Sequence, residues 1–354
     1  MQIHRHTKPF FCCLKHLFTL SVALLVVACT NQNVSAPNSN PAPLTYINPL
    51  VEQRADPWIL KDNDGTYYFI ATAPEFDRIE LRSAKTINGL HNAPAKVIWS
   101  KHLSGPMSKH IWAPELHKIN GHWYVYFAAS SVEDIWRIGM YVLSNTASNP
   151  MTGEWHEEGQ INSGWQNFAL DATTFEHKGK RYLLWAQANP EWSYGSAIWM
   201  AEMTSPTTID TTKVIALTEP EYDWETVTYK VNEGPAVLIR NGKIFVTYSA
   251  SATDHNYAMG MVWADAEADL MDKKVWHKSP TPVFATHEQF KRYGPGHNSF
   301  TVAEDGKTDL LIYHARDYKE LQGDPLSDPN RHTRVRKINW DKNGFPDFGQ
   351  TQDD

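Results

Sequence analysis

Five segments of the chain repeat one hydrophobic pattern, in which a polar group precedes an apolar strand, a tight turn and a second apolar strand. In the first segment, residues 54–61 are followed by the turn at 63–65 and by the apolar run at 66–71. Asn-Gly and Asp-Gly turns between apolar runs predict hairpins, because these residues tolerate positive φ angles. The pattern therefore predicts five β-hairpins, with turns at 63–65, 120–121, 178–179, 241–242 and 305–306.

The spacing of the repeats predicts the architecture. The polar residue near the start of each hairpin recurs at intervals of 59, 56, 62 and 65 residues. Such intervals leave room for four short strands, as in a propeller blade, whereas solenoid repeats are shorter. We therefore expect an all-β fold, a five-bladed β-propeller over residues 46–348, with a two-sheet sandwich as the alternative. The five polar residues are Asp56, Glu115, Asp171, Glu233 and Asn298.

The first 28 residues have the features of an export signal, with three basic residues, no acidic residue and an apolar run at 17–28. The run ends at Cys29, which resembles the lipidated cysteine of bacterial lipoproteins; an ordinary signal peptide with a chance cysteine is the alternative. Residues 29–45 would then be the lipidated Cys and a Pro/Asn-rich tether, and residues 349–354 a C-terminal tail. The residue after Cys29 is not Asp, so the resemblance implies the outer membrane.

Charge and cysteine content exclude several classes of protein. The chain has 33 Lys plus Arg against 40 Asp plus Glu, a formal net charge of −7, which disfavours nucleic acid as a partner. Cleavage before Cys29 would leave one thiol, so disulfides and Cys-ligated zinc are excluded. The 14 Trp, 15 Tyr and 14 Phe residues suit both β-sheet cores and the faces of sugars.

The propeller prediction carries a chemical one, because the innermost strands of all blades converge on one channel. Asp56, Asp171 and Glu233 are then expected to meet there. Like charges in one small cavity push pKa values apart, so that one acid can donate a proton while another accepts one. Cleavage of a glycosidic bond needs this division of labour. Glu115 has a similar position, but it could equally bind backbone amides between blades, so we leave it outside the catalytic set.

Four motifs around these residues resemble glycoside hydrolase family 43: residues 55–57, 170–172, 232–235 and 296–299. The resemblance covers the chain from Tyr46 onward and implies a five-bladed propeller that hydrolyses arabinose- or xylose-containing polysaccharides with inversion. By matching motifs, Asp56 resembles the general base and Glu233 the general acid. Asp171 resembles the third carboxylate, which orients the acid and raises its pKa.

Further segments, at 48–57, 75–82 and 111–115, resemble the exo-acting α-L-arabinofuranosidases that trim α-1,5-linked arabinan. The resemblance implies an aromatic surface at Trp112 and a hydroxyl-binding donor at Arg316, although each could instead be structural. His297 matches a histidine that contacts calcium or ordered water, and a hydrogen-bonded core histidine is the alternative. This interpretation requires no cofactor, and it is compatible with a structural calcium ion.

Two alternatives remain. A β-xylosidase or an endo-arabinanase would use the same three carboxylates with different loops. A non-catalytic, surface-anchored glycan-binding propeller would also explain the aromatic residues and the lipid anchor. The presence of all three carboxylates argues against a binding protein, since binding needs neither an acid nor a base. The sequence does not predict the oligomeric state.

Overall fold

The five predicted hairpins form in the computed structural model, and each is the inner half of an antiparallel sheet. The model describes residues 44–189, 191 and 195–351, and these belong, from Thr45 on, to one unit. The predicted signal peptide, Cys29 and the tether up to residue 43 lie outside the described residues. No helix in the described ranges is long and apolar enough to cross a membrane.

The sheets follow one another along the chain as the blades of a propeller, which confirms the predicted fold class. Blades 1 to 4 have four strands, and blade 5 has three. The strands are β1 Ala55–Lys61, β2 Tyr67–Thr72, β3 Arg78–Ala84, β4 Lys96–Ser100; β5 Lys109–Ile119, β6 His122–Ser130, β7 Gly139–Asn145, β8 His156–Gln160; β9 Ala169–His177, β10 Lys180–Gln187, β11 Ala197–Ser205, β12 Thr208–Thr218; β13 Asn232–Arg240, β14 Lys243–Ala250, β15 Ala258–Asp265, β16 His277–Lys278; and β17 Tyr293–Val302, β18 Asp309–Arg316, β19 His332–Lys337. A short pair, β20 Asn339–Trp340 and β21 Pro346–Asp347, follows blade 5; the 3-10 turns are Asn88–Leu90, Asp223–Glu225, Lys273–Val275, Glu288–Phe290 and Pro325–Ser327.

Apolar side chains on both faces of the sheets build the core between consecutive blades. The central strands β2, β7 and β18 are buried along their whole length, as expected for sheets covered on both faces. Trp123 of blade 2 packs with Leu81 of blade 1, and Trp185 of blade 3 packs with Tyr126 of blade 2. Similar clusters join blades 3 and 4 and blades 4 and 5.

Each inner strand contains a β-bulge near its start, where two residues lie opposite one residue of the neighbouring strand. The first bulge residue has a positive φ in every blade, between 42° and 58°. The bulges show which positions are equivalent, and they correct the sequence alignment of the repeats: Glu115, Glu233 and Asn298 are not at the position of Asp56. The bulge pairs are Asp56-Pro57, Ala113-Pro114, Asp171-Ala172, Gly234-Pro235 and His297-Asn298.

The N-terminal segment takes the place of a fourth strand in blade 5. Val51 forms an antiparallel bridge with Thr333 of β19, and the Leu50 N–H donates to the Thr333 carbonyl at 2.8 Å. Asn48 extends the pairing, because its side chain donates to the Val335 carbonyl and accepts from the Val335 N–H, both at 2.8 Å. The two ends of the domain are thus hydrogen-bonded together, which closes the ring of blades.

We expect Asn48→Ala to lower the free energy of unfolding by about 2 kcal/mol, because two hydrogen bonds across the ring closure are lost. Urea denaturation followed by tryptophan fluorescence measures this change. Asn63→Ala is the matched control, since Asn63 is exposed at a hairpin turn, and we expect a change below about 0.5 kcal/mol. Equal effects of the two variants would show that Asn48 does not stabilise the closure.

Candidate active site

The bulges bring the three predicted carboxylates to one cavity. Asp56 and Asp171 are each the first residue of a bulge, and Glu233 directly precedes one. All three line a cavity of about 350 Å³, together with His297. This volume is near the lower end of the range for small-molecule sites, about 300–1,000 Å³. A bulge redirects the side chain beside it, so acids from three distant segments point toward the same space.

Asp56 is held as a carboxylate by the groups around it. Thr72 donates its hydroxyl to Oδ2 at 2.6 Å, and the Arg331 guanidinium lies 3.6 Å from Oδ1. Burial alone would raise the pKa of Asp56, but the charges of His297 and Arg331 outweigh it. With smaller effects of His314 and Thr72, they lower the pKa of Asp56 to about 2. This carboxylate is therefore ionised at any working pH and can accept a proton from water.

Glu233 has the opposite protonation behaviour. Burial raises the pKa of Glu233, and repulsion from the Asp56 charge adds to this effect. The Tyr257 hydroxyl, which donates to Oε1 at 2.7 Å, acts in the opposite direction. The resulting pKa of Glu233 is about 7. Asp171 accepts a hydrogen bond from the Gly234 N–H at 2.9 Å. Burial and the Glu233 charge raise the pKa of Asp171 as well. At neutral pH and below, the cavity therefore holds a proton donor opposite a proton acceptor.

Aromatic side chains form a wall of the cavity. Trp112 stacks on His110, with ring centroids 4.2 Å apart, and its ring is nearly perpendicular to that of Phe76. Trp136 and Tyr229 also line the cavity, and each is 58% exposed. Trp112 occupies the position in blade 2 that Glu233 occupies in blade 4, directly before the bulge. Flat rings beside buried carboxyl groups suit the apolar faces of a sugar.

The structure does not bring Arg316 to the cavity lining. Its guanidinium donates to the Thr253 carbonyl at 2.6 Å and to the Pro325 carbonyl at 2.7 Å, and it pairs with Asp328 at 3.3 Å. These contacts join two loops, in agreement with the structural alternative for this residue. Arg331 lines the cavity instead.

The sequence analysis missed four residues that act on the carboxylates: Thr72, Tyr257, His314 and Arg331. His314 accepts the Asp56 N–H at Nδ1, 3.1 Å away, and its ring is parallel to that of Tyr257. A signal for His314 was present, because it lies two residues before Arg316 on β18 and so faces the same side of the strand. Arg331 lies before β19 in a stretch without a repeated motif, and no sequence signal identified it.

His297 is positioned by the carboxylate rather than by a set of metal ligands. Its ring Nδ1 lies 3.2 Å from Asp56 Oδ1, and its backbone N–H donates to the Ser249 hydroxyl at 2.7 Å. Calcium takes about six to eight oxygen ligands, whereas here the guanidinium of Arg331 approaches the same carboxylate oxygen. Within the described ranges, no group of three or more His, Cys, Asp or Glu side chains could hold a metal. These residues do not fit a calcium ion.

Glu115 lies outside the cavity lining, although its carboxyl is buried. Its Oε2 is 2.9 Å from Nε2 of His117. Burial raises the pKa of Glu115 well above its usual range, and burial lowers the pKa of His117 to about 3. The pair is therefore a neutral hydrogen-bonded group of the core, which supports leaving Glu115 out of the catalytic set.

The fold and the site together define a propeller glycosidase: one acid held protonated, one held ionised, and an aromatic wall. The model of the family described as Glycosyl hydrolases family 43 matches residues 46–346. The chain belongs to this family.

Similar proteins narrow the comparison. An extracellular exo-α-(1→5)-L-arabinofuranosidase of Streptomyces avermitilis is 54% identical over 335 residues, which are 94% of this chain and 69% of that protein. A protein of the same name from Streptomyces chartreusis is 58% identical over 285 residues, 80% of this chain and 87% of that one. The crystal structure of an α-L-arabinofuranosidase from Lactobacillus brevis matches with a TM-score of 0.84 and 54% identity, over 86% of this chain and 96% of that chain.

The pKa of Glu233 predicts how activity depends on pH. A general acid works while protonated, so kcat/KM should fall as pH rises through about 7. Tyr257→Phe removes a hydrogen bond that favours the charged form of Glu233. A hydrogen bond to a charged group contributes about 1.5 kcal/mol. The alkaline limb of the profile of kcat/KM against pH should therefore shift to higher pH by about one unit in this variant.

The matched control for this pH shift is Tyr248→Phe. The Tyr248 hydroxyl also donates to a buried glutamate, Glu225, at 2.7 Å, but neither residue lines the cavity. The alkaline limb should stay in place in this variant. A limb that stays in place or moves downward in Tyr257→Phe would contradict the assignment of Glu233 as the acid.

Proposed function

We propose that this protein is an exo-acting α-L-arabinofuranosidase that releases terminal arabinofuranosyl residues from arabinan or arabino-oligosaccharides with inversion. The observation that carries the proposal is that Asp56, Asp171 and Glu233 line one cavity, in which the pKa of Asp56 is lowered and that of Glu233 is raised. Membership in family 43 and the names of the similar proteins support the substrate.

Each carboxylate has a role in the proposed reaction. Glu233 donates its proton to the oxygen of the leaving sugar, while Asp56 removes a proton from a water molecule that attacks the anomeric carbon from the opposite face. Asp171, which accepts the hydrogen bond of the Gly234 N–H beside Glu233, orients the acid. Burial strengthens these interactions, because the effective dielectric constant inside the cavity is low.

The surrounding residues hold the sugar and the base. Trp112 offers an aromatic face, and Arg331 lies where it can donate to a hydroxyl while it pairs with Asp56. No cofactor is required, because protons and water are the only species transferred. The residues around His297 favour a role in holding Asp56 rather than a calcium ion.

We also propose that the protein is exported and anchored in the bacterial outer membrane by a lipid on Cys29. Two similar proteins are named extracellular. The described chain begins near the far ends of the inner strands, since the Asn88 side chain donates to the Thr45 carbonyl and the Tyr46 hydroxyl donates to Glu304, in the turn after β17. The carboxylates lie near the starts of these strands.

Glu233→Gln should lower kcat on arabinan by about 10²- to 10⁴-fold, because the leaving oxygen is no longer protonated. The loss should be much smaller on a nitrophenyl α-L-arabinofuranoside, whose leaving group needs no proton. Steady-state kinetics on both substrates measure the difference. Asp56→Asn is the matched control, since it removes the base and should abolish turnover of both. Equal losses in Glu233→Gln would contradict the acid assignment.

Product analysis on linear α-1,5-arabinan, arabinoxylan and xylo-oligosaccharides tests the proposed substrate. Arabinose alone from arabinan is the expected result. Oligomers would assign the protein as an endo-arabinanase, and xylose as a β-xylosidase. Binding without any product would favour a non-catalytic glycan-binding propeller. Proton NMR of the first product would report the anomeric configuration and test inversion directly.

A further inference from the structure

We propose that a second cavity, between blades 2 and 3, binds a distant part of the arabinan chain whose terminal residue occupies the catalytic cavity. This inference rests on the proposed function and adds a binding site to it. The second cavity has a volume of about 420 Å³, and its lining includes Arg137, Gln160, Asn162, Trp165 and Gln166. None of these residues lines the catalytic cavity.

The two cavities share a wall that is one residue thick. Trp136 lines the catalytic cavity, and the next residue, Arg137, lines the second one. Phe168 and the preceding Asn167 divide in the same way. The two segments are joined by a backbone hydrogen bond of 3.0 Å from Ala169 N–H to the Ile138 carbonyl. A glycan chain that leaves the catalytic cavity over Trp136, whose ring is 58% exposed, therefore comes directly to the second cavity.

The chemistry of the lining suits a neutral sugar. Amide side chains both donate and accept hydrogen bonds, as sugar hydroxyls do, and Gln160, Asn162 and Gln166 are exposed. Trp165 supplies an aromatic ring, fixed edge-on against Trp199 with centroids 4.5 Å apart. Bound sugars pack on such rings through their apolar faces. A polar rim around an aromatic ring is thus available beside the catalytic cavity.

The lining contains no Asp or Glu residue. Hydrolysis of a glycoside needs a carboxylic acid and a carboxylate, so this cavity can bind a sugar but cannot cleave it. Its charged group, Arg137, donates to Gln166 at 3.3 Å, which connects the two segments that form the wall. Asn167 is held in place by the Gln187 side chain and the Ala188 carbonyl. Fixed partners lower the ordering cost of binding.

A second site on the same chain raises the affinity for long substrates alone. Once a terminal residue is bound in the catalytic cavity, the rest of the polymer is at high effective concentration near the second cavity. A monosaccharide substrate cannot reach both sites. The second cavity should therefore lower KM for arabinan and leave KM for a nitrophenyl arabinofuranoside unchanged.

The test is the double variant Arg137→Ala/Gln166→Ala. It removes the hydrogen bond between these two exposed side chains and two groups that could bind a sugar hydroxyl. We expect KM for arabinan to rise about tenfold, the loss of one or two hydrogen bonds to a ligand. We expect kcat on arabinan, and both constants on the nitrophenyl substrate, to stay within about twofold. The control is Lys342→Ala/Asn343→Ala, an exposed pair in the turn between β20 and β21. An unchanged KM for arabinan, or equal rises on both substrates, would overturn the proposal.

A binding measurement separates this inference from the proposed activity. In gels that contain arabinan, the Glu233→Gln protein should migrate more slowly than in gels without it. Adding the substitutions Arg137→Ala and Gln166→Ala to the Glu233→Gln protein should abolish most of this retardation. Retardation that is unaffected by the double variant, or absent from the start, overturns the second site whatever the activity proves to be. Retardation in gels that contain polygalacturonate, an acidic polysaccharide, but not in arabinan gels would overturn the proposal that the ligand is a neutral pentose chain. Failure of the wild-type protein to release arabinose, with retardation intact, would refute the activity alone.

Discussion

The two-residue bulge near the start of every inner strand is the constraint on which the site depends. In a regular strand, neighbouring side chains point to opposite faces of the sheet, and a bulge interrupts this alternation and redirects the side chain beside it. The left-handed residue of each bulge, Asp56 in blade 1 and Asp171 in blade 3, changes that direction. In blade 4 the same position is Gly234, where a Cβ would lie 3.0 Å from the His297 ring. The missing side chain there allows the histidine to reach Asp56.

Burial and pairing then divide the acids by charge. Desolvation raises the pKa of all three carboxyls. Asp56 is surrounded by a guanidinium, two imidazoles and a hydroxyl, and these groups outweigh its burial. For Glu233 and Asp171, repulsion from the Asp56 charge adds to the effect of burial. One scaffold therefore holds a base ionised and an acid protonated within a single cavity, as glycoside cleavage requires.

Outside the carboxylates, the cavity is lined by aromatic side chains of the segments that connect the strands. Trp136 and Tyr229 line the mouth of the catalytic cavity, and the segments that carry Trp136 and Phe168 also form one wall of the neighbouring cavity. A change in these loops would alter the length or branching of the substrate without touching the acids. This separation of chemistry from specificity is common in folds that host many activities on one scaffold.

The sequence by itself determined the repeats, the hairpins and the three acids, because turn residues and alternating hydrophobicity are local properties that survive without the fold. Asp56, Asp171 and Glu233 were predicted from motif position, although the bulges moved Glu233 one place from the equivalence assumed. The tertiary structure placed Arg331, and not the predicted Arg316, in the cavity lining, and it identified Tyr257 and His314 as partners of the acids. Such choices depend on which loop ends near which strand, and no local pattern encodes that distance. Protonation states depend on it too, because burial and neighbouring charges exist only once the blades have closed.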